Sequence, residues 1–328
     1  MFPALLAGLA LAAAASRARC APTHELCTRP SAPLIQAQHA DELSHIHIVC
    51  ATHRRHFAGL LTAMVSAASH LAPRAGCTIH LVVAPADVAE ATGVAECFNT
   101  RAAGLPAAPG VVVHPFRPLP FPLVFYSMPL ALYWTRLYLH EYVPLPAPRA
   151  IWLDHDTIVR ADLGELYRMH MTHAIAGAPE FAMPHAVRMM TFRDHTNECQ
   201  SVSRRVERLD SPTFNTGVLL LDLARWRREG LAEHVAKWAE ASDGCFLDQL
   251  ALNLAFQGAW DQLPWTWNAR FNGSRRTPLN CVQQVRVFHW NTYPGPKYWQ
   301  AGRNASSRGD DRLWRPYAQR RCGAAPWG

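Results

Sequence analysis

The sequence lacks the features that mark several functional classes. None of its nine cysteines forms a CxxC pair, which argues against structural zinc and thioredoxin chemistry. Zinc-finger spacing, an RNA-binding signature and a basic helix are also missing, so we expect no nucleic-acid partner. Apart from residues 3–15, no apolar run approaches the length of a membrane span.

The composition allows a large core and favours an anionic ligand. The chain has 328 residues, of which 49% are hydrophobic, enough for one large domain or two small ones. Lys and Arg number 32 against 25 Asp and Glu, a net charge of +7. Such a surplus favours anionic ligands, nucleotide phosphates included.

The first residues predict entry into the secretory pathway. Residues 3–15 are mostly Ala and Leu, a run the size of a signal-peptide core and short for a membrane span. We therefore expect a signal peptide or short signal-anchor over 1–20 and a linker over 21–43. Membrane association is expected only through this segment. The predicted location is the Golgi lumen, with a plastid or secretion as alternatives.

The apolar patterning predicts an α/β fold. A strand over 46–51, an amphipathic helix from Phe57 to Ala68 and a strand over 78–84 form a βαβ unit, which requires a parallel sheet. Further strands are predicted over 111–116, 150–153, 173–178, 218–223 and 285–288. Helices are predicted over 130–140, over 224–240 and from residue 248.

Two carboxylates follow one of these strands. Asp154 and Asp156 come directly after the apolar run 150–153, whose carboxyl end should open into a ligand crevice. In an extended segment their side chains would point the same way and could hold Mg²⁺ or Mn²⁺ together with phosphate oxygens. The stretch also fits the pattern of haloacid-dehalogenase-type phosphatases, in which Asp154 would be a nucleophile.

Other candidates each have an ordinary structural explanation. Arg136 is a lone charge among apolar residues, either an anion-binding group or an ion-pair partner. Asn215 and Gly217 fit a tight turn beside a ligand or a plain turn before a strand. Asp248 and Gln249 begin a helix, where an acid also suits the helix dipole.

The last candidates lie in a segment rich in Pro and Gly. His289 follows the final predicted strand and is a candidate nitrogen ligand. Gly295 and Lys297 could hold a diphosphate, with Lys297 as a point charge.

Taken in order, five motifs resemble glycosyltransferase family 8, the retaining, sugar-nucleotide-dependent class. They are LDHD (153–156), FNTGVLLLDL (214–223), DQLALN (248–253), LPWTWN (263–268) and HWNTYPGPKYW (289–299). Within the family, further segments resemble the plant galacturonosyltransferase-like branch. These are IHIVCATH (46–53), LYWTRLYL (132–139), GAPEF (177–181), RWRREG (225–230) and LWRPY (313–317).

This resemblance implies a GT-A fold. One Rossmann-like domain over 44–300 would contain a mostly parallel mixed central sheet flanked by helices, followed by a C-terminal extension over 301–328. The implied donor is a UDP-sugar, and the implied acceptor is a carbohydrate or another hydroxyl compound.

The resemblance also implies roles for single residues. Asp154, Asp156 and His289 would ligate Mn²⁺, with Mg²⁺ as an alternative. Asp248 and Gln249 would act at the anomeric carbon. The donor contacts implied are Gly295 and Lys297 at the phosphates, Arg136, Asn215, Gly217 and Glu180 around the sugar, and His53 at the base.

Two departures from the family pattern keep alternatives open. Members usually carry Asp where His53 stands, and the galacturonosyltransferase-like branch has a Leu-Gly-Leu-Pro-Pro-like segment in place of Asp248-Gln249. The first departure permits a catalytically silent sugar-nucleotide-binding protein with the same fold. The phosphatase alternative is weaker, because it does not explain FNTG or the segment from His289 to Lys297.

Overall fold

The computed structural model describes residues 32–38, 43–73, 75–121, 128–181, 189–196, 200–242, 248–270, 279–290, 297, 299 and 311–318. The predicted segments 1–20 and most of 21–43, together with Gly295, lie outside these residues. Within the described ranges no helix has the length and apolar character needed to cross a bilayer.

The strands alternate with helices along the chain. The strands are β1 His45–Ala51, β2 Gly76–Val83, β3 Gly110–Pro115, β4 Arg149–Leu153, β5 Thr157–Val159, β6 Ile175–Pro179, β7 Phe214–Asp222, β8 Asp261–Gln262, β9 Ala269–Arg270 and β10 Val287–His289. The helices are α1 Phe57–His70, α2 Val88–Ala102, α3 Met128–Ala131, α4 Leu139–Tyr142, α5 Leu163–Tyr167, α6 Phe192–Thr196, α7 Gln200–Ser203, α8 Leu223–Arg228, α9 Leu231–Ala241, α10 Asp248–Phe256, α11 Leu279–Gln284 and α12 Asp311–Ala318.

The central sheet has the order β3-β2-β1-β4-β7-β6-β8. Its first four strands are parallel, β7 runs antiparallel to both of its neighbours, and β8 is parallel to β6. The predicted mostly parallel mixed sheet is therefore confirmed. Because side chains alternate across a strand, Ile46 and Ile48 of β1 pack in one apolar layer and Val49 packs in the other.

A second sheet closes over the end of β4. It has three strands in the order β5-β10-β9. The Trp290 N–H, which follows β10, donates to the Asp156 carbonyl in the turn after β4 at 2.8 Å. This small sheet brings the end of β10 beside the residues that follow β4.

Three predicted elements differ from the structure. The predicted helix over 130–140 is a 3₁₀ segment, Leu132–Tyr138, between the short α3 and α4. The predicted helix over 224–240 is divided into α8 and α9 at Gly230, whose φ of 61° suits glycine. The predicted turn before 218–223 is instead the start of β7, which begins at Phe214.

The predicted C-terminal extension contributes to the fold. Helix α12 packs against α1, and the Arg101 guanidinium donates to the Tyr317 carbonyl. At least this part of 301–328 therefore belongs with the described domain.

Candidate active site

The two carboxylates of the sequence motif lie in a turn between β4 and β5. The Asp154 N–H donates to the Gly217 carbonyl at 2.9 Å, and the Thr157 hydroxyl donates to the Asp154 carbonyl at 2.8 Å. The predicted extended segment is thus a turn. Even so, a carboxylate oxygen from Asp154, one from Asp156 and a ring nitrogen of His289 lie within 4.8 Å of one another.

His289 reaches the carboxylates through the small sheet. The antiparallel pairing of β10 with β5 places it opposite Thr157. Its Nε2 atom lies 3.4 Å from Asp154 Oδ2 and 3.3 Å from Asp156 Oδ1. The ring packs against Gly217, where an added Cβ would stand 2.1 Å from His289 Cε1. Gly217 therefore provides room for the imidazole, a role we had not predicted.

Arg136 is buried behind the turn, where it pairs with two carboxylates. It donates to both Asp154 and Asp248, and its guanidinium carbon lies 4.6 Å from the centre of the Trp152 ring. Burial alone would lower the pKa of Arg136, but the two carboxylates raise it. Arg136 is therefore an ion-pair partner of both carboxylates in this structure, and its contact with the donor sugar stays a prediction.

Lys297 lies on the other carboxylate of the motif. Its Nζ atom is 2.5 Å from Asp156 Oδ2, and it also donates to the Trp290 carbonyl at 2.8 Å. Burial would raise the pKa of Asp156, but His289, His155 and Lys297 together hold that pKa well below its usual range. Asp156 is therefore a carboxylate at neutral pH.

A hydrogen-bonded network surrounds the start of α10. Glu180 accepts from Asn215 Nδ2 at 2.7 Å and from Gln249 Nε2 at 3.1 Å, and it forms an ion pair with Arg270. Gln249 in turn accepts from the Thr216 N–H at 3.2 Å. Burial raises the pKa of Asp248, and Arg136 opposes that rise. Glu180, Asn215, Gln249 and Asp248 thus lie side by side next to the carboxylate turn.

An aromatic cluster forms one wall of the site. The His56 and His155 rings are stacked with centroids 4.5 Å apart, and His53 meets His56 edge-on at 4.5 Å. Burial is the main cause that lowers the pKa of His56 to about 3 and that of His155 to about 4. This wall is therefore neutral at physiological pH.

The residues present fit a hard divalent cation. Two carboxylates and an imidazole are a donor set that Mn²⁺ accepts. Asp154, Asp156 and Asp248 are three buried or half-buried carboxylates, whereas Arg136 and Lys297 supply two permanent positive charges. The excess negative charge beside His289 is what a cation would neutralise.

Comparison with known proteins gives the family. The model of "Glycosyl transferase family 8" matches residues 124–302, more than half of the chain. The chain belongs to glycosyl transferase family 8. The resemblance to this family predicted from the sequence is confirmed, and the matched residues contain all five of the ordered motifs, whereas IHIVCATH (46–53) and LWRPY (313–317) lie outside them.

Individual family 8 relatives agree. The chain is 28% identical over 194 residues to "Probable galacturonosyltransferase-like 7" of Arabidopsis thaliana, covering 57% of this chain and 53% of the relative. It is 27% identical over 197 residues to "Glycosyltransferase 8 domain-containing protein 1" of Homo sapiens, covering 53% and 52%. The chain thus spans about half the length of these curated relatives.

A solved family structure shows the same fold. The galactosyltransferase LgtC, in complex with donor and acceptor sugar analogs, superposes with a TM-score of 0.58 at 24% identity, over 83% of this chain and 95% of that one. The predicted GT-A fold is confirmed.

The structure brings most of the predicted site residues together around the end of β4. They are Arg136, Asp154, Asp156, Glu180, Asn215, Gly217, Asp248, Gln249, His289 and Lys297, with His53 one ring further out. For Gly295 the position stays a prediction.

Sequence reasoning missed Asn268, Arg270 and His155 as parts of this family 8 site. His155 could have been found, because it stands between the two acids of the motif. Asn268 ends a quoted motif, but its contacts depend on the packing of β7 against β10.

Proposed function

We propose that this chain is a retaining glycosyltransferase that moves a hexosyl or uronosyl group from a UDP-sugar to a glycan or another hydroxyl acceptor. The observation that carries the proposal is the convergence of Asp154, Asp156 and His289 within 4.8 Å in a chain of family 8. Asp248 and Gln249 lie in the same cluster, through Arg136 and Asn215. That combination supports a donor site with acidic and amide groups beside a cation site.

Mn²⁺ is the proposed cofactor, with Mg²⁺ as the second choice. Asp154, Asp156 and His289 would hold it, and when bound it would neutralise charge that develops on the leaving diphosphate. Family resemblance supports Mn²⁺, and so does the imidazole, because nitrogen ligands favour it over Mg²⁺.

The chain's own residues support the remaining roles. Lys297 would leave Asp156 and donate to a phosphate oxygen, since an ammonium prefers the more highly charged partner. Asp248, held by Arg136, would stabilise positive charge at the anomeric carbon or hydrogen-bond the sugar. Gln249, held by Glu180 and Asn215, would contact the sugar with a fixed amide. Retention can arise by attack on the same face or through a covalent intermediate.

Two observations about the donor sugar point in different directions. The names of the plant relatives point to galacturonate. Asp248-Gln249 instead follows the commoner family pattern, which points away from that branch. We therefore propose that the donor is a UDP-hexose or a UDP-hexuronate.

We propose a location in the lumen of the secretory pathway, in the Golgi. Cys97 is disulfide-bonded, and disulfides persist in oxidising compartments. The apolar segment within residues 1–20 would direct entry, as a signal peptide or a short anchor.

The test is a panel of UDP-sugars, including UDP-galacturonate and UDP-galactose, with Mn²⁺ or EDTA. We expect slow hydrolysis of one donor with Mn²⁺, a rise in melting temperature with the same donor, and neither in EDTA. The matched pair is Asp156→Asn against Asp210→Asn, because Asp210 is a surface acid whose side chain is 81% exposed. A rise in melting temperature without hydrolysis would favour the silent binding protein. No response to any donor would contradict the proposal.

A further inference from the structure

The buried amides behind the cation site form a continuous relay. Asn215 Oδ1 accepts from the Gly217 N–H at 2.9 Å and from Asn268 Nδ2 at 2.8 Å. Asn268 Oδ1 lies 2.9 Å from His289 Nδ1. The relay therefore runs from a backbone N–H through two side-chain amides to the candidate metal ligand.

The direction of this relay is fixed at its beginning. A backbone N–H can only donate, so the Asn215 oxygen must face Gly217. On its other side, Asn215 Nδ2 faces the Glu180 carboxylate at 2.7 Å, which can only accept when ionised. With the amide reversed, Nδ2 would face the Gly217 N–H, donor against donor, and Oδ1 would face the Glu180 carboxylate, acceptor against acceptor. Asn215 thus has a single orientation.

The orientation of Asn215 sets the orientation of Asn268, which in turn determines which nitrogen of His289 carries a proton. Because Asn215 presents its oxygen, Asn268 must turn its NH₂ group toward it. This leaves the Asn268 oxygen facing His289 Nδ1, which must then carry a proton. In a neutral imidazole one nitrogen is a donor and the other has a lone pair. The lone pair is then on Nε2, which faces Asp154 and Asp156.

We propose that Asn268 is a positioning residue that fixes the tautomer of His289 and so keeps Nε2 available for the cation. The inference rests on the proposed function for the identity of the site, but the tautomer can be tested without a metal. Burial strengthens the argument, since Asn215 and Asn268 are only 2% and 5% exposed and water competes little for these contacts. Outer partners of this kind commonly affect metal affinity by about 10- to 100-fold.

The first measurement uses nitrogen NMR on metal-free protein labelled at histidine, at alkaline pH where imidazoles are neutral. His289→Gln assigns the resonance. We expect a protonated Nδ1 in the unmodified protein, because Asn268 Oδ1 can only accept. Asn268→Leu should abolish this preference, because leucine leaves the Nδ1–H without its acceptor. An unprotonated Nδ1 in the unmodified protein would overturn the inference.

The second measurement is Mn²⁺ affinity, taken from the free-ion electron paramagnetic resonance signal. Asn268→Leu should weaken binding by about 10- to 100-fold. The control is Asn253→Leu, because Asn253 is 2% exposed and bonded to the Phe214 backbone instead. It should lower the melting temperature and leave Mn²⁺ affinity unchanged.

The outcomes separate the two proposals. If the unmodified protein binds no Mn²⁺ yet shows the expected tautomer, the proposed function fails and the role of Asn268 stands. Mn²⁺ binding with equal affinity and spectrum in Asn268→Leu would overturn the role of Asn268 alone.

Discussion

The histidine ladder, which we define as His47, His80 and His114 on β1, β2 and β3, contrasts with the acid cluster of Asp154, Asp156 and Asp248. In the ladder, His47 Nδ1 and His80 Nε2 are 3.1 Å apart, as are His80 Nδ1 and His114 Nε2. Burial is the main cause that lowers the pKa of His47 to about 4 and that of His80 to about 3.

The two clusters differ in how their ionisable groups are accommodated in the protein interior. The ladder loses its charge, and its imidazoles satisfy one another. In the acid cluster the carboxylates instead face permanent cations, since Arg136 pairs with Asp154 and Asp248, and Lys297 pairs with Asp156. Buried ionisable groups alone therefore do not indicate a ligand site. Excess charge that converges on one point does.

The largest expected effect comes from removing charge from the acid cluster. Asp154→Asn and Asp156→Asn should each abolish transfer and weaken Mn²⁺-dependent UDP binding, since each removes an anionic ligand. Donor hydrolysis and calorimetric titration of UDP with Mn²⁺ are the measurements. Asp210→Asn is the control, and melting curves separate loss of the site from loss of the fold. Activity that persists in both variants, or in EDTA, would refute the cation site.

The next effect is on stability. Asp248→Asn should destabilise the protein by about 3–5 kcal/mol, because it breaks a buried ion pair with Arg136. A helix-start acid without such a partner would cost only about 0.3–1 kcal/mol. Urea unfolding distinguishes the two values.

The kinetics of the same position give an independent check. Asp248→Asn should lower kcat more than it raises the donor KM. Gln249→Ala, which removes an uncharged side chain, should do the same. A rise in KM alone would assign the pair to binding.

A smaller effect is expected for Lys297. Lys297→Ala should weaken UDP binding by about 1.5–3 kcal/mol, roughly 10- to 150-fold, through loss of a charge-assisted contact. Mn²⁺ affinity without UDP should not fall, because the ammonium and the cation share Asp156. Calorimetry measures both. Unchanged UDP affinity would place Lys297 outside the donor site.

Lys297 can be observed directly by NMR, because the sequence contains few lysines. Lys237 and Lys297 are its only lysines, and Lys237 is exposed on α9. After reductive ¹³C-methylation, which keeps the positive charge, the Lys297 resonance should shift on addition of UDP and Mn²⁺. The Lys237 resonance is the internal control and should stay in place.

The smallest expected effect is in the ladder and depends on pH. The unfolded chain binds protons at histidine below about pH 6.5, whereas His47 and His80 in the folded protein do so only near 4 and 3. The unfolded state therefore carries more protons between these values, and the ladder's contribution to stability is lost as the pH falls from about 6.5 toward 4.

Replacing one ladder residue should reduce this dependence. His80→Gln should lower the pH slope of the unfolding free energy by up to about 1.4 kcal/mol per pH unit, the value for one proton. Urea unfolding at several pH values between 7 and 5 measures it, with the exposed His170→Gln as the matched control. An unchanged slope in His80→Gln would show that the ladder is not neutral in the folded state.

The sequence predicted the strands better than the site geometry. Apolar runs such as 150–153 identify buried strands, and motif order identified the family. The sequence could not show that Asp154 and Asp156 converge through a turn, because local propensity does not specify how β5 pairs with β10. Nor could it show that Gly217 makes room for His289, a contact between residues 72 positions apart in the chain.

The contacts of Asn268 and Arg270 were also beyond the sequence. Asn268 lies in the 3₁₀ turn Trp265–Asn268, which packs against β6 and β7, and Arg270 on β9 pairs with Glu180 after β6. Motif spacing does not predict this packing. We predicted an unbroken helix over 224–240, although Gly230 could have indicated the break, since glycine takes positive φ at low cost.

The central claim is that Asp154, Asp156 and His289 hold a divalent cation that accompanies a nucleotide diphosphate. The most direct test is anomalous diffraction from crystals grown with Mn²⁺ and UDP. We expect one manganese peak bonded to both carboxylates and to His289 Nε2, with Lys297 moved from Asp156 to a phosphate oxygen. Bound UDP without a manganese peak at these three residues, or with manganese ligated elsewhere, would contradict it.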